Sequence, residues 1–326
     1  MKAFVTGGTG FLGINLIRQL DALGWNITAI CRPDSNTSSL DGVSVDWRTG
    51  LITNKEDIEV CMDNDIDVIF HIAGDTNLWT PNNTKQHELN VTATQYVVDA
   101  ALKRNVKRFI HTSSISAYGF HSDVINESSE SLAMASNVNY LKTKYLGEQV
   151  VKQAVAEHNL PAVILNPCAI MGRFDKHNWS QLFTMINEDA LPGVPSGEGS
   201  YCHVDEVAKA HIAAVTEGQI GDNYILAGVD HRFLDVVNRI SVLLNKPKQD
   251  STIAPWLLKL VGRLSYWASL VTRKEPNMTP EKALMVTKRV VAASDKAVAE
   301  LGYNNNVQLD VMLKETYEWL KSENRL

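Results

Sequence analysis

The sequence predicts an α/β fold: a doubly wound parallel sheet covered by helices on both faces, with a smaller C-terminal α/β lobe. Three observations predict it. Short, nearly continuous apolar runs alternate with helix-period segments through the first half of the chain. The first apolar run leads into a glycine-rich turn and then an amphipathic helix. After about residue 170 the alternation gives way to sequence rich in Pro, Gly and polar residues. Right-handed crossovers between successive parallel strands make such a chain doubly wound.

Element by element, residues 2–6 form a strand and 11–23 a helix, with Leu12, Leu16, Leu20 and Leu23 on one stripe. Strands follow at 26–32 and 43–46, a short helix at 55–63 and a strand at 67–71. A long helix spans 83–104, a strand 106–112, a second long helix 137–158 and a strand 161–166. Beyond 170, short strands are expected at 201–204 and 224–227, and helices at 205–217 and 233–244. Thr279-Pro280-Glu281 opens a helix, with Thr as N-cap and Pro at the first position. A last helix runs over 309–320. Residues 1–170 form the nucleotide-binding domain, with a strand and a helix returning to it from about 201–230, and 171–326 form mainly a substrate-binding lobe.

Composition narrows the function. Of 326 residues, 44% are hydrophobic and 21% charged, an ordinary globular balance. The net charge of −6 argues against a nucleic-acid partner, whose phosphates need a basic surface. The opening MKAFVTGG has no long apolar stretch, and no run approaches 18 apolar residues, so neither a secretion signal nor an integral membrane segment is expected. Cys31, Cys61, Cys168 and Cys202 are widely spaced with no C-x-x-C pair, as expected of reduced packing thiols in a cytoplasmic protein. The nine histidines show no metal-ligand spacing, so no metal is expected, and His71, His111 and His203 at strand ends are read as structural.

Chemistry begins at Thr6-Gly7-Gly8-Thr9-Gly10-Phe11-Leu12-Gly13. Gly7, Gly10 and Gly13 stand three apart between a strand and a helix, the setting of a Rossmann-type dinucleotide site. A pyrophosphate there meets the free N–H groups and dipole of a helix N-terminus. The second strand ends at Arg32 with no acid before Asp34, so the ribose 2′-phosphate of NADP(H) is expected rather than the 2′-hydroxyl of NAD. Asp46-Trp47 ends the third strand, where an adenine pocket is expected, and Ile72-Ala73-Gly74 ends the fourth, where small residues let the chain pass the cofactor closely.

At the end of the fifth strand lies His111-Thr112-Ser113-Ser114, and Tyr140 and Lys144 share a face of the helix that follows. A phenol of reference pKa about 10 is a poor base near neutrality, and an adjacent ammonium lowers that pKa. Ser114 can hold a substrate oxygen while Tyr140 exchanges its proton. Thr112, Tyr140 and Lys144 are also expected against the cofactor. The arrangement suits hydride transfer between NADPH and a ketone or aldehyde.

These segments carry a likeness. TGGTGFLG at 6–13, DVIFHIAG at 67–74, HTSSISAYG at 111–119, YLKTK at 140–144, LNPCAIMG at 165–172 and HVDEVAKAH at 203–211 resemble the extended short-chain dehydrogenase/reductases, the NAD-dependent epimerase/dehydratase superfamily. By that resemblance Ser114, Tyr140 and Lys144 form the catalytic triad, Asn90 supports the site, and Asn166-Pro167 lines the nicotinamide. AGDTNLW at 73–79 and the pattern over 275–303 are most similar to the dihydroflavonol-4-reductase-like and 3β-hydroxysteroid dehydrogenase branches. The resemblance implies an NADP(H)-dependent oxidoreductase acting on a small, lipophilic carbonyl or alcohol, as a monomer or as a homodimer paired through the two long helices.

Two other readings stay open. A nucleotide-sugar epimerase or dehydratase needs charge-assisted donors for a diphosphate, and the stretch Gly197–Cys202 before the HVDEVA segment has no Arg, although Arg173, Lys176 or Arg232 could substitute. Tyr118-Gly119 occurs in sugar-modifying relatives and keeps this reading alive. A non-catalytic NADP-binding regulator is the second, and retention of both Tyr140 and Lys144 weighs against it. Residues 256–271, with Trp256, Tyr266 and Trp267, form either an apolar lid or membrane-surface helix, or a helix packed on the C-terminal lobe. The few charges, Lys259 and Arg263, favour the packed helix.

Overall fold

Ala3, Phe4, Val5 and Thr6 of strand β1 (Lys2–Thr6) are fully buried, as a central strand covered on both faces requires. The computed structural model describes residues 1–326. The chain continues through α1 (Phe11–Ala22), β2 (Asn26–Cys31), β3 (Val45–Thr49), α2 (Lys55–Cys61) and β4 (Val68–His71). Next come α3 (Asn83–His87), a π turn (Glu88–Thr92), α4 (Ala93–Arg104), β5 (Arg108–Thr112), α5 (Asn139–His158) and β6 (Ala162–Pro167). The second half holds β7 (Ala169–Met171), α6 (Ser180–Asn187), β8 (Glu198–His203), α7 (Val204–Ala213), β9 (Asn223–Leu226), β10 (Val229–Arg232) and α8 (Phe233–Leu243). It closes with α9 (Pro255–Thr272), α10 (Pro280–Thr287), β11 (Arg289–Val290), α11 (Asp295–Leu301) and α12 (Leu309–Ser322).

Seven strands form one sheet in the order β3-β2-β1-β4-β5-β6-β9, with every pairing parallel. The order reverses between β1 and β4, where Thr6 stands beside His71. Ligands of open α/β sheets bind at such a switch point, outside the carboxyl ends of the strands. One face is covered by α1 and α7, whose Leu16, Ile17, Leu20, Val204 and Val207 share a core. The other face buries Ile58, Val97, Val98 and Val151 from α2, α4 and α5. A smaller mixed sheet is built on β8, with β10 antiparallel to it and β7 and β11 parallel. Beside it Phe183, Val236, Ile240, Met312 and Leu313 form a separate core.

Several expectations are corrected. The third strand starts two residues later than expected and runs on to Thr49. Leu23 lies outside the buried stripe, 60% exposed, because α1 ends at Ala22 and the chain turns away through Gly24; Ile14 and Ile17 fill the core instead. The long helix over 83–104 is interrupted by the π turn around Asn90. Helix α9 packs on the C-terminal lobe, as favoured from its sparse charges, but by one face. It packs only a narrow face, Leu258, Gly262 and Ser269, while Trp256, Leu264 and Trp267 stand more than three-fifths exposed. No helix is long and apolar enough to cross a membrane.

Candidate active site

The glycine turn is shaped by contact as well as by conformation. Gly7 has φ +74°, and a Cβ on it would stand 2.7 Å from the Ala73 amide. A Cβ on Gly13 would stand 2.2 Å from the Gly7 carbonyl oxygen, so only a bare backbone lets α1 rise this close to the turn. Helix α1 opens with no side-chain cap and no acid in its first turn, leaving its leading N–H groups free for an anion. The residues present therefore fit a dinucleotide pyrophosphate. Gly7, Gly10, Phe11, Leu12 and Gly13 line a cleft of about 540 Å³ that runs along the carboxyl ends of the strands. Ile72, Ala73 and Gly74 form its floor.

At the far end Arg32 and Ser35 border the cleft. The Arg32 side chain is 70% exposed and 3.6 Å from the Asp34 carboxylate. Asp46 and Trp47 do not line the cleft. The longer β3 leaves both within the strand, where Asp46 accepts from Arg48 at 2.8 Å and Trp47 packs toward Gly8. Gly50 and Ile52, just past the strand, take the place expected of them.

The opposite end gathers Thr112, Ser114, Tyr140, Lys144 and Pro167. Strand β5 delivers Ser114, whose hydroxyl caps a short 3₁₀ turn by accepting from the Ser116 amide at 3.1 Å. Helix α5 brings Tyr140 and Lys144 to the cleft one turn apart. Lys144 is buried, its ammonium donates to the Thr112 carbonyl at 2.8 Å, and burial holds its pKa down at about 8. Burial pushes the Tyr140 phenol up, while the hydroxyls of Ser114 and Ser116 pull it back.

Asn90 is buried behind the cleft rather than lining it. Its side chain accepts from the Asp75 amide at 2.7 Å and donates to the Asp75 carbonyl at 2.9 Å and the Thr143 hydroxyl at 3.0 Å. It thus ties the segment after β4 to α5. Thr6 also lies beneath the cleft. The Ala73 amide donates to the Thr6 hydroxyl, which meets His71 Nδ1 at 2.8 Å; His71 Nε2 meets the Thr94 hydroxyl at 2.9 Å, and Thr94 donates to the Asn90 carbonyl. One donor direction satisfies every member, with the His71 proton on Nε2. His71 is neutral, its pKa pushed down to about 3 by burial.

Asn166 does not line the cleft either. Its amide turns inward, donating to Glu148 at 2.9 Å and to the Ser114 carbonyl at 3.1 Å, and accepting from Asn223 at 2.8 Å. Strand alternation explains this, since neighbouring Pro167 takes the opposite face. Glu148 was not anticipated. It is buried one turn past Lys144, and it accepts from Ser113 at 2.8 Å and pairs with Lys152 at 2.8 Å. Its i+4 offset from Lys144 on the catalytic face was the available signal. Thr9, Ser35, Gly50 and Ile52 line the cleft and were also missed.

Three cations that could have bound a diphosphate are engaged elsewhere. Arg173 pairs with Asp205 at 2.9 Å, Lys176 donates to Ser39 at 3.0 Å and Arg232 pairs with Asp235 at 2.9 Å, and none lines the cleft. Tyr118 is buried among Ile115, Ile125 and Ile225 rather than facing the cleft. His203, Asp205 and Glu315 bring one ligand atom each within 4.8 Å, but His203 is bonded to Glu315 at 2.8 Å and Asp205 to Arg173.

A parallel sheet with a glycine cradle at its switch point and a Ser–Tyr–Lys cluster across the same cleft defines an enzyme that works through a bound nicotinamide dinucleotide. The chain belongs to the NAD dependent epimerase/dehydratase family, whose profile matches residues 3–227. It is 27% identical over 320 residues to a 4-hydroxy-2-methyl-3-oxo-4-farnesyl-3,4-dihydroquinoline-1-oxide ketoreductase of Stigmatella aurantiaca, covering 94% of this chain and 93% of the relative. The crystal structure of gox2253 superposes with a TM-score of 0.86 at 27% identity, covering 99% of both chains. A UDP-glucuronic acid 4-epimerase of Bacillus cereus shares the fold at 21% identity and TM-score 0.78, covering 99% of this chain and 100% of the other.

Proposed function

We propose that this protein is an NADPH-dependent carbonyl reductase, run in reverse as an alcohol dehydrogenase, for a lipophilic ketone or aldehyde. The observation that carries the reading is the company Tyr140 keeps. Its hydroxyl is near those of Ser114 and Ser116, and the cleft it lines also carries Leu89, Pro167, Cys168, Ile170 and Trp179, with no lysine or arginine besides Arg32 and Lys144. Such a wall suits an apolar substrate and offers nothing to a diphosphate. The occupied Arg173, Lys176 and Arg232 point the same way. The Stigmatella relative is named for reducing a ketone on a farnesylated compound.

A bound reduced nicotinamide supplies the hydride to the carbonyl carbon. Ser114 donates to the carbonyl oxygen and orients it. Tyr140 gives that oxygen its proton as negative charge develops, and burial keeps the phenol protonated for this role. Lys144 holds positive charge beside the leaving proton, and Asn90 fixes the Asp75 segment against α5. Arg32, at the edge of the cleft, would hold a 2′-phosphate as a charge-assisted donor. From beyond residue 171, His177, Asn178 and Trp179 line the same cleft.

The test follows nicotinamide absorbance with NADPH, and separately NADH, against apolar ketones, aldehydes and nucleotide sugars. Loss of NADPH with an apolar carbonyl, faster than with NADH and lowered about 100-fold or more in Tyr140→Phe, is expected. Isomerised nucleotide sugar without net NADPH loss, or a fully active Tyr140→Phe, would overturn the reading.

A further inference from the structure

Helix α9 leaves an apolar face uncovered along its whole length. Trp256 (68% exposed), Leu260 (46%), Leu264 (62%), Trp267 (68%) and Val271 (86%) recur at spacings of three and four, so they form one stripe. A stripe this long on a soluble surface marks an interaction site. We propose that α9 docks the enzyme in the plane of a lipid bilayer that carries anionic headgroups.

Charge chooses the partner. The helix contains no acidic residue. Lys259 and Arg263 flank the stripe, and Arg273 and Lys274 follow its C-terminus; all four are exposed, and none has a carboxylate within ion-pair distance. Glu275 is taken by Lys282 and Asn77, which leaves Asp250, before the helix, as the nearest acid in the sequence without an ion pair. A second copy meeting this face about a two-fold axis would bring four unpaired cations against four, which opposes association. Anionic headgroups neutralise them instead. Trp256 and Trp267 sit near the two ends of the stripe, and indoles favour the headgroup boundary. With no window apolar enough to span, the helix lies on a membrane rather than through it.

The opposite face of α9 connects to the cleft. Trp79 donates from Nε1 to the Ser269 hydroxyl at 3.1 Å, and a Cβ on Gly262 would stand 2.9 Å from the Thr279 carbonyl, so α9 lies tightly on the start of α10. Helix α10 in turn carries Leu284 and Met285, which pack on the same small cluster, Ala133, Val138 and Leu141, as Tyr140 of the cleft. Docking would therefore hold the Tyr140 side of the enzyme toward the bilayer. The docking itself does not require any particular substrate, and its test reads binding apart from turnover.

The experiment co-sediments the full chain with vesicles of phosphatidylcholine alone and of phosphatidylcholine with phosphatidylglycerol, while sedimentation velocity without lipid reports oligomeric state. Binding to the anionic vesicles, weakened by salt and accompanied by a blue shift of tryptophan emission, is expected. The double variants Trp256→Ser/Trp267→Ser and Lys259→Gln/Arg263→Gln should each lower partition roughly tenfold or more, with the NADPH turnover of a water-soluble aldehyde unchanged. No binding to either vesicle, or binding that the double variants leave intact, would overturn the proposal. So would a lipid-free dimer that the Trp256→Ser/Trp267→Ser variant dissociates, which would assign the face to a second copy.

Discussion

Lys144 should leave a measurable mark on stability as pH rises. Its ammonium is buried with one carbonyl partner, and its pKa falls from 10.5 to about 8. Below about pH 8 native and unfolded chains both bind this proton. Between about 8 and 10.5 the unfolded lysine keeps it while the native one releases it, so the unfolded state binds more protons and stability rises with pH. A fall of about 2.5 units at 1.36 kcal/mol each amounts to about 3 kcal/mol across that window. Lys144→Met keeps the length of the side chain and removes the titration. The assay is urea unfolding of the cofactor-free wild type and variant at several pH values from 7 to 10.5. Every other titrating group is common to both proteins, so their difference in unfolding free energy isolates Lys144. That difference should move in favour of the wild type by about 3 kcal/mol as pH rises. A difference that stays flat over the window would refute the claim that this lysine is held as a desolvated charge.

The remaining predictions concern the cofactor end and the buried histidines. Gly13→Ala puts a methyl 2.2 Å from the Gly7 carbonyl, so α1 must retreat and nucleotide affinity should fall at least tenfold; an unchanged titration of NADPH binding would remove the cradle from the argument. Arg32→Ala should lower the preference for NADPH over NADH by about tenfold, read from the ratio of dissociation constants, since one charge-assisted contact to a phosphate is lost; an unaltered ratio would make Arg32 a surface residue. His71 and His211 are held neutral, pushed from 6.5 to about 3 and about 4 by burial, and His111 is driven the same way. Below pH 6.5 the unfolded chain takes up protons that the native one refuses, so stability should fall with acid by about 1.4 kcal/mol per unit for each histidine; His71→Gln should flatten that slope, and an equally steep one would sink the assignment.

The parallel sheet was legible because its signals are local. Nearly unbroken apolar runs mark strands buried on both faces, and Gly7, Gly10 and Gly13 sit between a strand and a helix with no ambiguity of spacing. Tyr140 and Lys144 were legible for the same reason, being one helical turn apart. What stayed hidden depends on where an element stops. Moving the end of β3 from Asp46 to Thr49 was enough to take Asp46 and Trp47 out of the cleft and put Gly50 and Ile52 into it. Residues that work through distant partners were hidden too. Nothing near Asn166 in the sequence says that its amide will meet Glu148 and Asn223, because those partners arrive on α5 and β9.

Helix α9 shows a third kind of concealment, and its logic differs. Its periodicity was plain in the sequence, but periodicity says only that one face is apolar, not what covers it. The small number of charges favours a packed helix, and one face does pack; what the number leaves out is whether those charges are paired. Lys259, Arg263, Arg273 and Lys274 lack carboxylate partners in a chain of net charge −6, where acids outnumber bases and an unpaired cation could readily have found one. Four such cations beside one apolar stripe are therefore a positional feature, visible only once the ion pairs of the whole surface are known.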